Sequence, residues 1–150
     1  MHAWAVPEAY AVLAAAVEAS VVLAGGVEAS VLVWPASVVR LVGGSAAACG
    51  AALEELCAQC PVHNVVVLGE EAFVFVRSPT GEVSPAVPDL KIGAIQLLGV
   101  MVVDTAAQFE AASVEGAIDQ ALRDTSYDVE PLSELIARVA ARLAARALAV

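Results

Sequence analysis

Residues 62–77 (VHNVVVLGEEAFVFVR) constrain the fold most, because their pattern admits only one structural reading. Val65, Val66, Val67 and Leu68 run into Gly69-Glu70-Glu71, and Phe73, Val74, Phe75 and Val76 run out again. Two stretches of β-branched and aromatic residues around a short glycine-containing turn predict a β-hairpin, so the chain must contain a sheet. No catalytic or cofactor motif accompanies that hairpin, and the functional argument therefore rests on architecture.

The 150 residues suffice for a domain with its own core. Hydrophobic residues make up 60 % of the chain, yet aromatics only 5 %, and the mean hydropathy is +0.80. So few charges cannot cover the surface of a domain this size, which points to an oligomer with an apolar partner surface. A membrane span is not expected. Glu18, Glu28, Gly25-Gly26 and Pro35 interrupt every apolar window in residues 11–39, and residues 92–103 are too few to cross. The first eight residues carry no Lys or Arg and do not resemble a signal or transit peptide, so a cytoplasmic location is expected. Net charge is −10, which argues against nucleic acid as a partner, since phosphate binding needs a basic face. Residues 1–122 hold 13 acidic and 3 basic side chains, whereas 123–150 hold 4 of each. The neutral tail can lie on the acidic body or on a partner's acidic patch.

Along the chain, Pro7-Glu8 opens an expected helix over 7–24, with Tyr10, Leu13, Val17 and Val21 on one stripe and Gly25-Gly26 ending it. Strands are expected over 27–33 and 38–42, joined by a turn at Trp34-Pro35-Ala36-Ser37. The near-repeat VEASVVL (17–23) and VEASVLV (27–33) reads as coincidence, one copy helical and the other a strand. Ser45 caps a helix over 46–60 that Pro61 stops. After the hairpin, Ser78-Pro79-Thr80-Gly81 turns into a short strand or edge loop at 82–87, where Pro85 forbids a central position. A helix over 90–112, entered at Pro88-Asp89, continues or restarts over 114–122. A loop follows at Tyr127-Asp128, and Glu130-Pro131 opens a last helix with Leu132, Ile136, Val139 and Leu143 as its seam. The expected order is α-ββ-α-ββ(β)-α-α.

Three stretches of that order are residues 25–44 (GGVEASVLVWPASVVRLVGG), the hairpin, and residues 88–98 (PDLKIGAIQLL). Together they resemble the roadblock family, small α/β modules found as dynein light chains, as scaffolds on small GTPases and as bacterial regulators of Ras-like GTPases. The resemblance implies an α+β, roadblock/profilin-like antiparallel sheet flanked by helices over residues 1–112, with 113–150 as a C-terminal helical extension packed on it or on a partner. It further implies a homo- or heterodimer in which helix 46–60 and strand 65–68 meet their counterparts. Leu53, Leu56, Val65, Val66, Val67 and Leu68 would then lie in the interface, with Glu54, Glu55, Glu70 and Glu71 at its rim. The function so implied is a non-enzymatic module that binds or regulates a small Ras-like GTPase or a larger assembly.

Chemistry-bearing residues are few. Cys57, Cys60 and His63 stand close enough for a metal site but lack a fourth ligand, since Cys49 lies about 12 Å back along the helix. As a redox dithiol the pair sits at the wrong end of its helix, so free buried or interface thiols are the ordinary account. His2 and His63 mark no catalytic arrangement, the glycine pairs belong to no phosphate-binding motif, and neither enzyme activity nor a cofactor is expected. Arg138, Arg142 and Arg146, four apart, form one stripe, either a solvated face or a docking site for an acidic partner. Two rival functions remain. One takes Ala3 to Val6 as a strand and residues 40–55 (RLVGGSAAACGAALEE) as resembling a bacterial microcompartment shell subunit; the other is metal binding through Cys57, Cys60 and His63.

Overall fold

A computed structural model describes residues 10–60, 62–79, 83–126 and 130–148. The helix start at Pro7, the alternative strand at Ala3 to Val6, the stop at Pro61, Thr80-Gly81 and the loop at Tyr127-Asp128 lie outside them. The fold is α+β. Its centre is an antiparallel sheet built from β1 (Val17–Val22), β2 (Val27–Leu32), β3 (Val38–Gly43), β4 (His63–Leu68) and β5 (Glu71–Val76), in spatial order β1-β2-β3-β5-β4. The helix α1 (Ala46–Gln59) carries the chain from β3 to β4 across β5, so that β3 and β4 run parallel with β5 between them.

The hairpin forms as expected, with Leu68 opposite Glu71 across the two-residue turn Gly69-Glu70. Strand β5 is interior to the sheet, and its residues Phe73, Val74, Phe75 and Val76 are buried on alternating faces. Ser45 caps α1 by accepting a hydrogen bond from the Ala48 N–H at 3.2 Å.

Residues 11–24 do not form the expected helix. A short 3-10 turn (Ala11–Ala14) precedes β1, which is a strand. The near-repeat is the reason: its two copies are β1 and β2, paired antiparallel with the equivalent serines Ser20 and Ser30 opposite each other. Alanines favour helix, but Val17, Val21 and Val22 fit a ladder, and a partner strand of almost the same sequence lies four residues away. Gly25 and Gly26 make that connection possible, with φ of +77° and +75°. A second glycine is fixed by space as well as conformation. At Gly44 (φ +70°) an added Cβ would lie 2.7 Å from Val27 Cγ2 and 2.9 Å from the Gly25 carbonyl oxygen. Gly44→Ala should therefore cost about 2–4 kcal/mol, read as a Tm lowered by roughly 5–12 °C in thermal unfolding.

Residues 87–112 depart from expectation too. Val87–Lys91 is a strand, β7, paired with β6 (Val83–Ser84) in a separate two-stranded ribbon, with Pro85 in the turn between them. The single long helix is replaced by α2 (Ala94–Leu97) and α3 (Ala106–Ala112), and α4 (Ala117–Asp124) follows. Gly99 breaks the helical course: at φ +94°, a Cβ there would meet Ala11 at 3.0 Å and the Trp34 ring at 3.1 Å. That close approach lets Trp34 Nε1 donate to the Leu97 carbonyl at 2.9 Å.

The sheet is covered on both faces. On one, α1 and the last helix α5 (Leu132–Leu148) pack over Val27, Ala29, Leu41, Val74 and Val76, and α5 buries Leu135, Ile136, Val139 and Leu143. On the other, Phe73, Phe75 and Val38 meet the layer formed by residues 10–15, β7, α2 and α4. The C-terminal helix is thus part of the central core.

Candidate interaction surface

A five-stranded open sheet leaves two edges, β1 and β4, and they are not equivalent. The ladder of β1 is irregular between Val17 and Ala19, and the residue at that irregularity, Glu18, is exposed. A bulge and a charge are the usual means of blunting an edge. Strand β4 has neither. Its six residues pair without interruption and include no Asp, Glu, Lys or Arg.

The backbone of β4 has a defined parity. The Arg77 N–H donates to the Val62 carbonyl at 2.9 Å, and by alternation Asn64, Val66 and Leu68 turn their backbone groups towards β5. His63, Val65 and Val67 direct theirs outward. Val65 and Val67 stand opposite Val74 and Ala72, on the face covered by α1, yet they are 38 % and 63 % exposed. The helix does not reach them. Between α1 and the hairpin runs a groove of about 430 Å³ lined by Cys49, Gly50, Leu53, Val67 and Ala72, with Gly43-Gly44-Ser45 at one end and Glu70 at the rim.

The six expected interface residues therefore divide. Leu53, Val65 and Val67 share the open face. Val66 and Leu68 point to the opposite face and are half-buried against the second core. Leu56 is 1 % exposed, inside the chain's own core, and is not available to a second copy. Of the expected rim residues Glu54 and Glu70 are exposed and Glu71 half-buried, whereas Glu55 is buried.

Glu55 explains the arginine stripe. Its carboxylate accepts from Gln59 Nε2 at 3.0 Å and lies 3.4 Å from Arg142 Nη1 and 2.9 Å from Arg146 Nη1. Arg138 donates to Gln59 Oε1 at 2.6 Å and forks onto the Glu130 carboxylate. All three arginines expected to dock an acidic partner are engaged within the chain, holding α5 to α1. Only the spatial approach of α5 could reveal this, because Glu55 and Arg142 are far apart in sequence. Arg77 is a second residue that sequence reasoning missed. It is 5 % exposed at the end of β5, and its guanidinium donates to the carbonyls of Thr125 and Ile92 and to Asn64 Oδ1. The only sequence signal was a charge ending an apolar strand.

The cysteines and His63 are close in sequence without converging. His63 Nδ1 lies 2.7 Å from the Cys60 carbonyl, Cys60 is buried, and among the described residues no three His, Cys, Asp or Glu side chains are grouped to hold a metal ion. Burial pushes the Cys60 thiol up to about 11, with the neighbouring Cys57 adding to the shift. The folded state thus keeps this proton at pH values where the unfolded chain, with its ordinary value of 9.0, releases it. It follows that stability contributed by the neutral thiol is complete below about pH 9 and is lost as pH rises towards 11. In alkylation at pH 8 followed by mass spectrometry, Cys60 should be modified only when denaturant unfolds the chain. No family model, no curated protein and no solved structure matches this chain.

Proposed function

We propose that the chain is a non-enzymatic, dimeric regulatory or scaffold module that acts by binding other proteins. The observation that carries this reading is the pairing of an uncharged, uninterrupted sheet edge with an apolar groove beside it. The outward backbone groups of His63, Val65 and Val67 need hydrogen-bond partners, and Val65, Val67 and Leu53 need apolar cover. A second copy meets both needs at once. It would bring its own β4 and its own α1 about a two-fold axis, with Val65 facing Val65 of the partner. The resemblance to roadblock modules supports the same arrangement and extends it to a small Ras-like GTPase or a larger assembly as the partner bound by the dimer.

Light scattering on the purified full chain tests the proposal. A dimer has a mass near 30 kDa, twice the 15.2 kDa of the chain, and this value should persist on dilution to low micromolar concentration. A 15 kDa particle at every concentration would sink the dimeric reading.

A further inference from the structure

Basic side chains occur on both faces of the sheet, Arg77 and Lys91 on the one that carries β7, but they are unevenly spread. The three ion pairs among the described residues all join α5 to α1 or to Glu130, on one face. On the other, residues 92–122 contain four carboxylates and not a single Lys, Arg or His, and none of those carboxylates has an ion-pair partner among the described residues. The same segment leaves large apolar side chains in solvent. Phe109, on α3, is 64 % exposed, and Val102 and Val114 on either side of that helix are 50 % and 63 % exposed. Asp104, Glu110 and Glu115 alternate with them along the chain and are also exposed.

We propose that the acidic and apolar segment 102–115 docks a cationic amphipathic segment of a partner protein, one that carries Lys or Arg beside bulky apolar residues. The proposal takes the protein-binding reading above and assigns the partner's chemistry. Phe109 has the size and exposure of a docking anchor, and the exposed carboxylates of the same segment, Asp104, Glu110 and Glu115, select positive charge. The face is too small to bury a long segment: α3 spans seven residues, a length of about 10 Å. One or two turns of an amphipathic helix match it. A second copy of this segment is a poor occupant, because its own carboxylates would be set against those of the first. An anionic lipid surface is repelled for the same reason. The sign of the partner is thus the reverse of that suggested by the arginine stripe, whose charges are already engaged on Glu55 and Glu130.

The test is an NMR titration of the full-length protein with a synthetic amphipathic Leu/Lys peptide of about fourteen residues, and with a scrambled peptide of identical composition that has no apolar face. The expected result is shift changes confined to residues 102–119, with affinity for the amphipathic peptide falling about tenfold or more in Phe109→Ser and in Glu110→Lys. Both positions are exposed, so both variants should keep the parent spectrum elsewhere. Equal affinity for the scrambled peptide, shift changes centred outside 102–119, or unaltered binding by Phe109→Ser would overturn the proposal. The Val65→Lys/Val67→Lys variant should bind the peptide as the parent does, so loss of dimerisation and loss of docking are read separately.

Discussion

Val65→Lys/Val67→Lys should halve the particle mass, from about 30 to about 15 kDa by light scattering, while leaving the melting temperature of each protomer nearly unchanged. Both side chains are substantially exposed in the single chain, so lysine costs the protomer little. In the proposed dimer the same substitutions place four ammonium groups along a two-fold sheet seam, where burial of unpaired charge and like-charge repulsion each oppose association. A rise in dissociation constant of at least a thousandfold is expected, about 4 kcal/mol. Glu18→Lys at the opposite edge should leave the mass alone, since the irregular β1 ladder is not the proposed seam. If the double variant keeps the parent mass, β4 is not where two copies meet.

Arg77→Met should lower stability by about 3–5 kcal/mol, a large share of the 5–15 kcal/mol that holds a domain of this size together. Among the described residues the guanidinium joins three acceptors. Nε donates to the Thr125 carbonyl at 3.1 Å just beyond α4, and Nη1 donates to the Ile92 carbonyl at 2.8 Å and to Asn64 Oδ1 on β4 at 3.1 Å. Ser78 N–H reinforces the junction by donating to the same Thr125 carbonyl at 3.0 Å. Methionine fills much of the volume but donates nothing, so the Ile92 carbonyl and Asn64 Oδ1 each lose a donor, and the Thr125 carbonyl is left with Ser78 N–H. The positive charge also complements the negative end of α4. Arg77→Lys should recover only part of the loss, because an ammonium cannot reproduce the planar fork. Denaturant unfolding followed by circular dichroism measures both variants; a loss below about 1 kcal/mol for Arg77→Met would show that the tie is not needed.

Local signals were legible where they agreed with their surroundings. The hairpin of β4 and β5, the Ser45 cap and extent of α1, the β2 and β3 strands and the Leu132, Ile136, Val139, Leu143 seam of α5 could all be placed from residue pattern alone. Each combines a period with a start or stop residue. The misreadings lie where composition is ambiguous. An Ala/Val stretch such as 17–22 satisfies helix and strand almost equally, and what decides is whether a partner strand lies alongside. Residues 90–112 kept an apolar period, but contacts from Ala11 and Trp34 forced the chain to turn at Gly99. For the proposed interaction surface, the family resemblance pointed to β4 and α1 without showing which of their residues remain uncovered. Leu53 and Leu56 are alike in sequence and differ only in what lies above them.

The amino-acid sequence by itself determined that a sheet exists, that its hairpin turns within Gly69-Glu70-Glu71, that α1 and α5 are helices, and that the chain carries apolar surface beyond what its charges can cover. Tertiary structure alone decided that the two VEAS copies pair as β1 and β2, that the α5 arginines are consumed by Glu55 and Glu130, and that β4 is a sheet edge with Val65 and Val67 in the open. Periodicity and capping act within a few residues and can be read along the chain. Edges, buried ion pairs and uncovered faces depend on which distant segments arrive beside them, and no local pattern encodes that arrival.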